Sequence, residues 1–273
     1  MVTLEFPQDK STILQLLNEY FAWDKAQFTI QNGTVDVEGT IVLKKPTSRL
    51  PVKFGKVTGS FQCHKNQLES LVGSPHTVTE NFVCEENQLE SLAGCPQTVL
   101  GSFVCHNNLL TNLRGAPQKV GEDFIAHNNQ LESLRGAPRT VGMLFDVSRN
   151  NLEDLEGAPQ KVDSFWASSN KLTSLQGLSP VIPGHLIFDD NWKLESLEGL
   201  SVQRPSAIEL SYRAYLPLLR LLVGKKVTFW PSLWGQFTAI ELIFNTYAGQ
   251  GKRAMFECQK ALEDAGFSEN ARW

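Results

Sequence analysis

A block of about 21 residues recurs seven times between positions 60 and 200 of this chain, and that recurrence restricts its fold more than any other feature. SFQCHKNQLESLVGSP is followed by NFVCEENQLESLAGCP, SFVCHNNLLTNLRGAP, DFIAHNNQLESLRGAP, LFDVSRNNLEDLEGAP, SFWASSNKLTSLQGLS and HLIFDDNWKLESLEGL. One asparagine marks each copy, at 66, 87, 108, 129, 150, 170 and 191. A fixed period of this length means a stack of similar coils, each too small to bury its apolar side alone.

Each column of the repeat has a physical reading. Phe61, Phe82, Phe103, Phe124, Phe145, Phe165 and Leu186 stand two residues before Cys63, Cys84, Cys105, Ala126, Val147, Ala167 and Phe188. Apolar positions two apart predict a short strand with both columns pointing inward. Leucines follow at 68 and 71 and at each later equivalent, and Gly-x-Pro, as in Gly73 and Pro75, turns the chain. Val57, Val78, Val99, Val120, Val141 and Val162 bring it back inside. Stacked coils would then share a parallel sheet with strands about 4.8 Å apart. The asparagine amides are expected to satisfy backbone groups where the chain leaves the strand.

The pattern F-x-C-x-x-N-x-L-x-x-L-x-G-x-P resembles the leucine-rich repeat, in the short form common in tailed-phage and bacterial genomes. Aromatic and small residues replace leucine at the two strand positions, and a valine is shifted by one residue from the usual first leucine. The resemblance implies an α+β fold: a leucine-rich-repeat solenoid with a parallel β-sheet on the concave face and helical N-terminal and C-terminal caps. The expected boundaries are 1–56 for a helix and β-hairpin cap, 57–201 for the seven repeats, and 202–273 for a helical C-terminal cap or small effector region. The closing AGFSENARW is similar to the tails of phage-type relatives.

The flanks carry their own signals. Residues 11–23 place Ile13, Leu16, Leu17, Tyr20 and Phe21 on one helical stripe, with Ser11 as the expected N-cap. Asn32-Gly33 is a hairpin turn signal, after which Val35, Val37 and Ile41 should begin the sheet. Near the other end Phe237, Ile240, Ile243, Phe244 and Tyr247 share a helical face. Gly249-Gln250-Gly251 breaks the chain, Met255, Cys258 and Leu262 mark a second helix, and Gly266 ends it.

Positions beside the inward residues face outward. One such column reads Gln62, Val83, Val104, Ile125, Asp146, Trp166, Ile187, and the next reads His64, Glu85, His106, His127, Ser148, Ser168, Asp189. A water-facing position has no need of Val, Ile or Trp, although β-propensity alone also favours them. The binding candidates are therefore Val83, Val104, Ile125, Trp166 and Ile187, with His106, His127 and Arg149 beside them; Trp166 is the strongest single anchor.

Other chemistry is disfavoured. His106, His127 and Glu85 could meet a metal, but the cysteines point the other way and a solvated ladder is the expectation, with no metal and no cofactor. The recurring acids Glu69, Glu90, Glu132, Glu153 and Glu195 form a regular edge, not a cleft with two unequal carboxylates. Gly251-Lys252-Arg253 lacks the first glycine and the Ser/Thr of a phosphate-binding loop. The chain carries no G-x-S-x-G and no H-E-x-x-H, and catalysis is not expected.

Net charge is −4, with 16 Lys and Arg against 23 Asp and Glu up to residue 201 and 9 against 6 beyond it. An acidic body disfavours nucleic acid. An odd set of five cysteines suits a reducing compartment. MVTLEFPQDK lacks a basic flank and apolar run, and Leu216–Val223 is interrupted by Arg220, so neither secretion nor a membrane span is expected. The expected location is cytoplasmic, in the bacterial host cell if the gene is a phage's, and the expected partner is another protein, with the chain a monomer or weakly self-associating. The resemblance implies a binding module, with inhibition of a bacterial defence or regulatory protein as one form. The competing expectations are a secreted effector acting on a eukaryotic host protein and a self-assembling or virion structural protein.

Overall fold

The computed structural model describes residues 5–200, 205–211, 227–230, 235–248, 250 and 254–272. The chain divides into two compact units, Met1–Leu131 with Arg135–Gly142, and Glu132–Leu134 with Met143–Trp273. Both are built of stacked strands at the repeat spacing, so the chain is a repeat solenoid.

The first unit begins with helix α1 (Lys10–Tyr20). Its N-cap is Asp9, whose carboxylate accepts from the Thr12 amide at 2.8 Å; Ser11, the expected cap, lies inside the helix. Ile13 and Leu17 are buried, whereas Leu16 and Tyr20 stay partly exposed. Strand β1 (Phe21–Trp23) pairs antiparallel with β4 (Ile41–Leu43). Strands β2 (Gln27–Gln31) and β3 (Thr34–Glu38) form the hairpin, closed by Asn32 at φ 48° and Gly33 at φ 70°. Positive φ at both central residues is the type I′ turn that Asn-Gly favours.

From there the coils stack in parallel. One sheet of this unit continues from β4 through β6 (Phe61–Gln62), β8 (Phe82–Val83), β10 (Phe103–Val104) and β12 (Phe124–Ile125). A second sheet runs from β3 through β5 (Lys53–Val57), β7 (Thr77–Val78), β9 (Thr98–Val99), β11 (Lys119–Val120) and β13 (Thr140–Val141). The valine column was expected only to return the chain to the core; it also pairs, coil to coil, as this second parallel sheet. Between the sheets the phenylalanine, cysteine and leucine columns are fully buried. Phe61, Phe82, Phe103 and Phe124 stack face to face, with centroids 5.3–5.6 Å apart and planes within 15°. Offset stacking of this kind adds roughly 0.5–1.5 kcal/mol per pair to the burial itself.

Turn chemistry and the amide ladder hold the register. Gly136 sits at φ +89°, and a Cβ there would stand 2.6 Å from the Leu113 carbonyl oxygen of the coil before. Asn87 shows the ladder's geometry. Its Oδ1 accepts from the amides of Asn66 (3.0 Å) and Leu68 (2.9 Å), and its Nδ2 donates to the Cys63 carbonyl (2.9 Å). Within this unit the rungs at Asn66, Asn87, Asn108 and Asn129 so tie each coil to the previous one. The residue before each ladder asparagine is left-handed, at φ between 51° and 57°.

The second unit carries β14 (Leu144–Asp146), β15 (Ser164–Trp166) and β16 (His185–Phe188), all parallel. Asn170 and Asn191 repeat the rung, accepting from Leu152 (3.0 Å) and Leu172 (3.3 Å). The tail was expected to be helical, but the parallel sheet continues into it through β17 (Ala207–Ser211) and β18 (Val227–Trp230). Helices α2 (Gly235–Tyr247) and α3 (Ala254–Asp264) follow. Ile240 and Phe244 are buried on α2, and Ala254, Cys258 and Leu262 on α3; the Phe237 side chain, Gly249 and Gly251–Arg253 lie outside the described residues. Gly266 (φ 86°) closes α3 in a Schellman motif, its own amide bonding to Glu263 and that of Phe267 to Leu262. Among the described residues no helix is long and apolar enough to cross a membrane.

Candidate functional site

Parallel pairing in strict register places chemically similar residues beside one another along the outward face of the strands. In the first unit Gln62, Val83, Val104 and Ile125 are direct cross-strand neighbours, each half-buried. The inward residues on either side of them are wholly buried, so these side chains stand on the opposite, solvent side of the pleat. They form a short apolar strip one residue wide.

The adjacent column is polar and tightly organised. His106 Nε2 lies 2.6 Å from Glu85 Oε2, and the His106 and His127 rings stack at 4.4 Å with planes 9° apart. His64 Nδ1 and His106 Nδ1 are buried without a hydrogen-bond partner among the described residues. Glu85 thus belongs to the candidate site through His106; the sequence placed it in this outward column and weighed it as a metal ligand but not among the binding residues. Among the described residues no group of three His, Cys, Asp or Glu side chains is gathered to hold a metal ion. Lys65 and Glu86 pair beside this column at 3.2 Å.

In the second unit the outward column is less uniform. Asp146 was expected to face water but is buried, and its Oδ1 accepts from the Ser148 amide at 2.9 Å. Trp166 pairs with Asp146 on one side and Ile187 on the other and is half-buried, with its indole Nε1 buried and without a partner among the described residues. Ser168 and Ser169 donate to Asp189 and Asp190, the latter at 2.9 Å. Arg149 is exposed on a left-handed backbone (φ 55°). Trp192, 60% exposed, was not anticipated. Its signal was the extra residue between Asn191 and Leu194, where other copies leave one residue between asparagine and leucine.

The structure therefore gathers Val83, Val104, Ile125, His106 and His127 on one face of the first unit, and Trp166 and Ile187 on one strand face of the second, with Arg149 just beyond β14. All five cysteines are free and buried. Burial pushes the Cys95 thiol up to about 12 and that of Cys258 up to about 11, which disfavours the thiolate a nucleophile requires. Comparison with family models, with curated proteins and with solved structures returns no match.

Proposed function

We propose that this chain is a leucine-rich-repeat type protein-binding module whose partner docks on the outward face of the strands. The observation that supports the reading is the outward column itself. Val83, Val104, Ile125, Trp166 and Ile187 are only half-buried at positions where burial of the coil does not call for apolar side chains. Aromatic and β-branched residues held on a stiff sheet bind at low entropic cost, since little is left to order on contact. The phage-type repeat resemblance points to a bacterial protein as the target, with inhibition of a defence or regulatory protein as the form of action.

Affinity capture from bacterial lysate with the wild-type chain, Trp166→Ala and Ile125→Ala tests this. The reading predicts a specific protein recovered by the wild type and depleted in at least one variant. Recovery of nothing, or of the same protein in equal amount with all three, counts against it.

A further inference from the structure

The strip of the first unit has a spacing that discriminates among the shapes a bound segment can take. Val83, Val104 and Ile125 project from three successive parallel strands, so their mutual offsets are about 4.8 Å and 9.6 Å along the stack. An α-helix laid along the same line presents residues i, i+3 and i+7 at about 0, 4.5 and 10.5 Å, within about 1 Å of that comb. An extended segment presents i, i+2 and i+4 at about 0, 6.8 and 13.6 Å and falls out of step by the second contact.

The borders of the strip add a charge requirement. On the strand-entry side the carboxylates of Glu80 and Glu122 accept from the hydroxyls of Ser60 and Ser102, which immediately precede β6 and β10. On the strand-exit side stand Glu85 and Glu86, the first against His106 and the second against Lys65. The exit-side carboxylates are thus already engaged by an imidazole and an ammonium, whereas those on the entry side meet neutral hydroxyls. A cationic flank on the bound segment would be attracted on the entry side, and an anionic one repelled.

We infer that the strip takes an amphipathic helix of the partner, with one apolar residue per turn on Val83, Val104 and Ile125 and Lys or Arg on the flank that faces Glu80 and Glu122. This rests on the protein-binding reading and specifies its occupant.

The test uses the full chain and three synthetic peptides of equal length: one with leucines at i, i+3 and i+7 between lysines, one of the same composition with leucines at alternate positions, and one with the helical pattern but glutamate for lysine. Binding is followed by fluorescence anisotropy, and peptide helicity by circular dichroism. The helical lysine peptide is expected to bind at least tenfold more tightly than either other and to gain helicity on binding. Val104→Asn should weaken it at least tenfold. The double substitution Glu80→Gln and Glu122→Gln, which removes the charge but keeps an acceptor for the Ser60 and Ser102 hydroxyls, should weaken it severalfold. Equal or tighter binding of the alternating peptide overturns the helix assignment and leaves the lysate-capture test of a protein partner intact. Equal binding of the glutamate peptide, or no binding by any peptide at millimolar concentration, also overturns it. Self-association of the chain through the strip that the helical peptide cannot displace would assign the site to a second copy and overturn it as well.

Discussion

Replacing Asn108 by alanine removes one rung of the amide ladder, and the structure sets the size of the loss. Asn108 Oδ1 accepts from the buried Leu89 amide at 3.0 Å, and Nδ2 donates to the carbonyls of Cys84 and Cys105 at 3.1 Å each. Those carbonyls keep a second amide donor, since Asn87 reaches Cys84 at 3.0 Å and Asn129 reaches Cys105 at 3.1 Å. The Leu89 N–H loses its acceptor and is left buried, at about 1–3 kcal/mol, and the weakened carbonyls bring the total to about 2–4 kcal/mol. That is a large share of a typical domain's stability of about 5–15 kcal/mol. Urea unfolding by circular dichroism measures the loss, with the exposed Glu90→Ala as a control expected within about 0.5 kcal/mol of wild type. Exchange of the Leu89 amide supplies a local reading, faster by about thirty- to a thousandfold. Asn108→Asp keeps the acceptor but places a carboxylate against two carbonyls, so its deficit should shrink as pH falls and the group protonates. If Asn108→Ala costs no more than Glu90→Ala, the ladder does not carry the register and the reasoning fails.

Other perturbations follow from the same geometry. Gly136→Ala combines a left-handed backbone (φ +89°) with a 2.6 Å clash against Leu113, whereas Gly266→Ala meets nothing within 4 Å at a similar φ of +86°. Thermal unfolding should show a loss of about 1–2 kcal/mol for Gly266→Ala and a larger one for Gly136→Ala; equal losses would remove the close-approach argument. The backbone hydrogen bond from Thr12 holds the Asp9 carboxyl below its usual 3.8, so its contribution to α1 is complete above pH 3.8 and fades as pH falls through the lowered value. An acid titration in which Asp9→Asn and wild type lose stability in parallel below pH 3.8 would contradict that. The five buried thiols should resist a disulfide reagent in the native chain and react together on unfolding; rapid native labelling of Cys258 would reverse its assignment as a packed side chain.

The scaffold was readable because each coil repeats the same constraint. Phenylalanine two residues before a small side chain, asparagine three beyond that, then leucines and glycine specify strand, rung and turn, and seven copies make each column unambiguous. The return sheet was hidden because only Val78 and its equivalents are buried in strands of two residues, too short for an alternation to show. Strands β17 and β18 were missed for a different reason. Their backbone pairing carries the stack onward, but the asparagine and Gly-Pro signals are gone from their sequence. The burial of Asp146 escaped because its position reads as outward-facing, and the hydrogen bond it accepts from the Ser148 amide is not visible in the sequence. Asp9 and Ser11 are both good caps, and only the helix start separates them. The outward column was legible as positions; the Glu85–His106–His127 alignment required side-chain geometry.

The most direct measurement of the central claim is hydroxyl-radical footprinting of the chain, free and bound to the protein it captures. The outward column holds half-buried Val104, Ile125 and Trp166, while Leu100 (53% exposed), after a return strand, and Val72 (37%), beside the Gly73 turn, serve as internal controls. A partner docked on the outward face predicts that Val104, Ile125 or Trp166 loses labelling while Leu100 and Val72 keep theirs. Protection of Leu100 and Val72 with the outward column unchanged would contradict it.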